Sequence, residues 1–74
     1  MNLDLKNADL QEAFRLIADV GKVNIVVAGE VTGTITVKLT DVPWDQALEV
    51  IARAKGLVIE KDGTVYLVRP SGAK

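Results

Sequence analysis

Shifting the chain along itself by 34 positions lays Leu5 on Leu39, Ala13 on Ala47, Ile17 on Ile51, Ala18 on Ala52 and Ile25 on Ile59. Phe14 then falls on Leu48 and Leu10 on Trp44, so two apolar helical stripes coincide, with strand-like residues matched on either side. The chain therefore reads as two copies of one strand–helix–strand unit. Two copies are too few for a solenoid, which needs about three or more to bury its stacked faces. A chain of 74 residues also has room for one modest core.

The first helix is expected over Leu10 to Val20, with Leu10, Ala13, Phe14, Ile17 and Val20 on one stripe. Asp9 and Glu12 have capping-box spacing, and Gly21 is a natural helix stop. The second helix is expected from about Pro43 to Lys55, on a stripe of Trp44, Ala47, Leu48, Ile51 and Ala54. Pro43 suits a first helical position, Asp45 the positive helix start, Gly56 the end, and Glu49 can pair with Arg53 one turn on. Trp44 shares its stripe with core residues, which predicts a cost of roughly 3–5 kcal/mol for Trp44→Ala.

Strand patterns fill the rest. Ile35, Val37 and Leu39 alternate with threonines and Lys38. Leu3 and Leu5 suggest a short first strand, and Val23 to Val27 a more deeply buried one. Leu57 to Lys61 and Thr64 to Arg69 flank Asp62-Gly63, a hairpin signal. The expected fold class is α+β, in the order βα-ββ-αββ, with a domain over residues 1–70 and a tail or linker stub at 71–74. Each half is expected to make a right-handed crossover between parallel strands. Ala28 to Gly33 would join the halves as an antiparallel link. Leu16, Ala18, Val50 and Ala52 broaden both apolar faces, which favours helices held between small sheets.

The residues available for chemistry are few. The chain has no histidine and no cysteine, which removes the usual zinc ligands, thiol nucleophiles and the commonest general base. Asp41 and Asp45 bracket Trp44 but fit a strand end and a helix start. Asp4, Asp9 and Glu12 lack the tight spacing of a calcium loop. The Gly29–Gly33 segment leads into a strand and lacks the lysine-serine or lysine-threonine pair of a phosphate loop. No catalytic residue, cofactor or metal is expected. Acidic and basic residues interleave to a net charge of −1, which gives nucleic acid no electrostatic foothold. An RNA-recognition sheet would stack bases on its aromatics, yet Phe14 and Trp44 lie on helix stripes and only Tyr66 on a strand. No run of about 18 apolar residues is present, so the domain is not expected to insert into a membrane.

The run Asp41-Val42-Pro43-Trp44-Asp45-Gln46-Ala47-Leu48, with Gly56-Leu57 closing its helix, resembles the STN domain (secretin and TonB N-terminus short domain). It is most like that of type IV pilus secretins, the outer-membrane channel proteins of Gram-negative bacteria. Leu3 to Leu10 resembles the domain's opening strand and helix start, Val23 to Val27 and Val31 to Val37 its central strands, and Gly63 to Pro70 its last strand. The resemblance implies two helices sandwiched between small sheets. It also implies a periplasmic, non-catalytic interaction domain of a larger outer-membrane secretin. The partners implied are an inner-membrane pilus lipoprotein and neighbouring secretin subunits. The other parent implied is a TonB-dependent receptor, whose signalling domain would bind an anti-sigma regulator. The segment Thr64, Val65, Tyr66, Leu67, Val68 and Arg69 is expected to lie at a sheet edge near the chain's end, where a partner could add a strand.

Overall fold

A computed structural model describes residues 1–71. The elements are β1 (Leu3–Asp9), α1 (Leu10–Gly21), β2 (Asn24–Val27), β3 (Thr34–Leu39), α2 (Trp44–Ala54), β4 (Leu57–Asp62) and β5 (Val65–Pro70). The element order and the α+β class agree with the expectation. Two sheets form: β1 pairs antiparallel with β3, while a second sheet has the order β2-β5-β4. Helix α1 lies against β1 of one sheet and β2 of the other, and α2 lies against α1 and β4. The core joins Leu10, Phe14 and Ile17 of α1 to Ala47, Leu48 and Ile51 of α2, with Leu3, Ile35 and Val68 closing it from the strands.

The duplication is written into the backbone. Asp4 faces Lys38, its own counterpart 34 residues on, so β1 and β3 pair about a local twofold axis. Leu3 faces Leu39 and Leu5 faces Val37, as that axis requires. Asn7 and Asp41, again 34 apart, both take left-handed conformations, with φ of 53° and 56°. The N–H of Asn7 donates to Thr36 Oγ1 at 3.0 Å, and that of Asp41 to Asn2 Oδ1 at 2.8 Å. Asn2 and Thr36 are themselves 34 apart, so the two bonds exchange under the axis. Asparagine and aspartate tolerate φ > 0 better than other residues with a Cβ, which suits them to these two positions. In β1 the extra residue at Lys6-Asn7 is a bulge that returns Ala8 to the inner face opposite Ile35.

The topology overturns the expected crossovers. The strands of each half lie in different sheets, so neither half is a parallel βαβ unit. Ala28 to Gly33 is accordingly a passage between sheets, not an antiparallel link. It plugs the core with Val31, held by Gln11 Nε2 donating to its carbonyl at 2.9 Å. Strand β5 has no counterpart in the first half and inserts between β2 and β4, parallel to the former and antiparallel to the latter. The expected edge position of Thr64 to Arg69 is therefore wrong, because both sides of β5 are already paired. Strands β2 and β4 are the edges of this sheet, and β2 alternates exposed and half-buried residues where deep burial was expected.

Smaller corrections follow local geometry. Val20 is 47% exposed and Leu16 41%, so the outer flank of α1 is uncovered. Asp9 does cap α1, its carboxylate accepting from the Glu12 N–H at 3.3 Å, but Glu12 turns to Arg15 instead of completing the box. Pro43 is extended and precedes the first helical residue, Trp44. The hairpin turn is shifted by one residue to Gly63-Thr64, with Gly63 at φ 63°. The Glu49–Arg53 pair forms as expected, at 3.7 Å on the exposed face. Ser71 N–H donates to the Gly56 carbonyl at 3.2 Å, and the rest of the expected tail lies outside the described residues.

Gly21 is the last residue of α1, not the residue that caps it. That residue stays helical, and Lys22 takes the left-handed cap at φ 55° with its N–H on the Ala18 carbonyl. Its counterpart in the second half is Gly56, at φ 67°. A lysine pays a steric cost there that glycine avoids. Lys22→Gly is expected to raise stability by about 0.5–1 kcal/mol, read as a higher urea midpoint at constant slope. A lower midpoint would show that the lysine side chain contributes more than the backbone costs.

Candidate protein-docking surface

Residues paired across a sheet share a face, so the register sorts the β2-β5-β4 sheet into two sides. Ile25, Val27, Tyr66, Val68 and Ile59 face the helices. The other side carries Val26, Leu67 and Glu60 in one row, Asn24, Val65 and Asp62 in the next, and Val58 with Arg69 in a third. No element among the described residues covers this side. Val26 is 50% exposed, and Val58, Val65 and Leu67 are half-buried. An apolar strip thus crosses an open sheet, as a surface does when a partner supplies its cover.

An ion pair frames the strip. Arg69 Nη2 stands 2.7 Å from Glu60 Oε2 across the β4–β5 ladder. The hydrogen bond from Arg69, reinforced by its charge, holds the Glu60 carboxyl below the usual carboxylate range and raises the guanidinium's own pKa. The pair is exposed, so it orients the rim of the patch more than it holds the fold together.

The expected interaction segment is divided by this geometry. Val65, Leu67 and Arg69 lie on the open side, Tyr66 and Val68 on the core side, and Thr64 in the turn. Tyr66 meets Trp44 edge to face, with ring centroids 5.6 Å apart at 87°, so its ring is committed inside. Base stacking on the open sheet is not available to it. The signature run is divided too. Ala47 and Leu48 are buried core, Trp44 is half-buried at the core's rim, and Val42 N–H donates to the Met1 carbonyl at 3.1 Å. Pro43, Asp45 and Gln46 are exposed and line a groove of about 780 Å³ between α2 and β4, where the Asp45 carboxylate accepts from the Gln46 N–H at 3.0 Å. Sequence reading missed Val26 and Val58, because each sits in an unbroken apolar run where alternation is hidden.

No group of three or more His, Cys, Asp or Glu side chains is placed to hold a metal ion among the described residues. The arrangement is one of contact surfaces.

The family model described as "Secretin and TonB N terminus short domain" matches residues 23–71. The chain is 41% identical over 71 residues to the fimbrial assembly protein PilQ of Pseudomonas aeruginosa, covering 96% of this chain and 10% of that protein. It therefore spans about a tenth of the length of that curated relative. The cryo-EM structure of the type IV competence pilus secretin PilQ from V. cholerae superposes with a TM-score of 0.80 at 37% identity, over 92% of this chain and 16% of that one. The N0 domain of the type II secretin from enterotoxigenic Escherichia coli shares the fold, with a TM-score of 0.83 at 18% identity over 96% of this chain and 94% of that one. With its model matched over more than half of the residues and its two-helix, two-sheet architecture shared, this chain belongs to the STN family, the secretin and TonB N-terminus short domain.

Proposed function

We propose that the chain is a non-catalytic docking domain of an outer-membrane secretin of type IV pilus biogenesis. It works in the periplasm, ahead of the channel-forming part of a longer protein. Its partners are an inner-membrane pilus lipoprotein and neighbouring secretin subunits. The observation that carries this reading is the apolar strip Val26-Leu67-Val65-Val58 on a sheet face that nothing in the described chain covers. The family and the pilus secretins among its relatives supply the setting. They also favour a secretin parent over a TonB-dependent receptor binding an anti-sigma regulator.

The test is a shift titration of the labelled chain with the periplasmic part of the pilus lipoprotein. Shifts should concentrate on Val58, Val65, Leu67 and Arg69. Leu67→Asp, which buries a charge in the contact without entering the core, should weaken binding roughly tenfold or more while the circular dichroism is unchanged. Shifts confined to β1 and β3, or wild-type affinity for Leu67→Asp, would sink the sheet-face assignment.

A further inference from the structure

One twofold axis relates the two halves throughout the domain. Asp4 faces its counterpart Lys38 in the first sheet, while in the second Val26 and Glu60, again 34 apart, both face Leu67. Ile25 and Ile59 face Tyr66 and Val68, one place to either side of Leu67. The axis therefore crosses both sheets and exchanges the groove between α1 and β2 with the groove between α2 and β4. The first groove is filled at the start of α1 by Ala28 to Gly33. The Leu10 N–H donates to the Gly33 carbonyl at 3.1 Å, Gln11 Nε2 donates to the Val31 carbonyl at 2.9 Å, and Val31 is buried.

The second groove receives no such segment from the described residues. After Asp62 the chain turns through Gly63-Thr64 into β5 instead of crossing to the other sheet. Leu48, Ala52, Ile59 and Tyr66 are left lining the groove of about 780 Å³, with Pro43 and Asp45 at its rim. The axis carries Leu10 and Gln11 onto Trp44 and Asp45. The Trp44 N–H has no backbone partner among the described residues, where the Leu10 N–H has Gly33. The exchange of Gln11 for Asp45 changes what can be held, because an amide donates to a carbonyl whereas a carboxylate only accepts. Asp45 is exposed and in no ion pair among the described residues, while Glu49 and Arg53 on the same rim neutralise each other. The open groove is thus apolar within and singly negative at the end that Val31 occupies in its twin.

We propose that the α2–β4 groove receives an extended segment of a partner protein, seated as Ala28 to Gly33 is seated in the first half. The segment carries a valine or isoleucine in the place of Val31 and a lysine or arginine beside it to meet Asp45. Glu30 holds the corresponding place in the chain's own plug, so the partner's segment differs from it in charge. Its backbone carbonyl two residues beyond the apolar side chain, the counterpart of Gly33, accepts from the Trp44 N–H. This site goes beyond docking on the open sheet face, because the groove lies on the side of the sheet that faces the helices. Each copy of the domain takes one segment without using its own counterpart surface, so any number of copies can be served side by side.

A shift titration of the labelled chain with the end-blocked peptide Gly-Lys-Val-Thr-Gly tests this; its sequence is that of residues 29–33 with lysine in place of the glutamate. Shifts are expected at Asp45, Ala52, Ile59 and Tyr66 and not at Val26 or Leu67, with a dissociation constant on the order of 1 mM. A peptide with aspartate for its valine should not bind. The unaltered Gly-Glu-Val-Thr-Gly should bind severalfold more weakly, and Asp45→Gln, which gives the second half the residue of the first, should remove that difference. The axis also sets a register, since Thr34 corresponds to the position directly ahead of Met1. Joining Gly-Lys-Val-Thr-Gly-Thr to Met1 should therefore seat its valine in the groove, raise the urea midpoint and exclude the free peptide. Shifts elsewhere, indifference to the valine or to Asp45→Gln, or a joined segment that leaves the midpoint unchanged would overturn the proposal. So would groove shifts that follow the concentration of the chain alone, which would assign the groove to a second copy. Leu67→Asp should leave peptide binding unchanged, so this result and docking on the open sheet face can fail independently.

Discussion

Phe14→Ala should leave the chain largely unfolded at room temperature. Phe14 is fully buried on α1, within the cluster that joins both helices to strands of both sheets. Truncating a buried phenylalanine costs about 3–5 kcal/mol, the lost transfer free energy plus the cavity left behind. A core of this size rarely supplies more than about 3–5 kcal/mol in net stability. The cost therefore matches the whole margin. Dispersed amide resonances should collapse, and the urea transition should move to near zero denaturant. Leu16→Ala is the control, two positions along the same helix but 41% exposed. It should shift stability by no more than about 0.5 kcal/mol. Similar losses for both variants would mean that the helix is held by something other than its inner stripe.

That contrast shows what could be read from the chain and what could not. The helix stripes were legible, because burying Leu10, Phe14 and Ile17 on one side imposes a period that few other arrangements satisfy. The 34-residue repeat was legible for the same reason, but the matched left-handed residues Asn7 and Asp41 were not read from it. Strand partnership was not. Which strand lies beside which is decided by contacts far apart in sequence, and local alternation does not report it. Position near the chain's end made β5 look like an edge, although it fills the gap between β2 and β4. The docking surface was misread with it. The residues of β5 on the open face, Val65, Leu67 and Arg69, were named, but for pairing along the strand instead of contact across the sheet. Val26 looked like core because an unbroken apolar run hides its outward turn.

Gly21→Ala should destabilise the wild-type chain yet stabilise a chain lacking the Trp44 ring. A glycine in a helix costs about 1 kcal/mol relative to alanine, so on propensity alone the substitution is favourable. Here a Cβ on Gly21 would stand 2.6 Å from Cδ2 of Trp44 and 2.8 Å from Cε2, at the fused centre of the indole. Those atoms cannot swing aside like the end of a flexible chain, and Tyr66 braces the ring edge-on. Overpacking of this kind costs about 1–3 kcal/mol, enough to reverse the propensity gain. Trp44→Ala by itself should cost about 3 kcal/mol, the lower end of the range for a buried tryptophan, because the ring is half-buried at the core's rim. In that background the obstacle is gone, and Gly21→Ala should raise stability by up to about 1 kcal/mol. A double-mutant cycle in urea reads the difference as a coupling of at least about 1 kcal/mol. Additive effects would mean that the lack of a side chain at Gly21 has nothing to do with Trp44. The sign reversal would instead tie the glycine of the first half to the tryptophan of the second, as a close approach on which the joined halves depend.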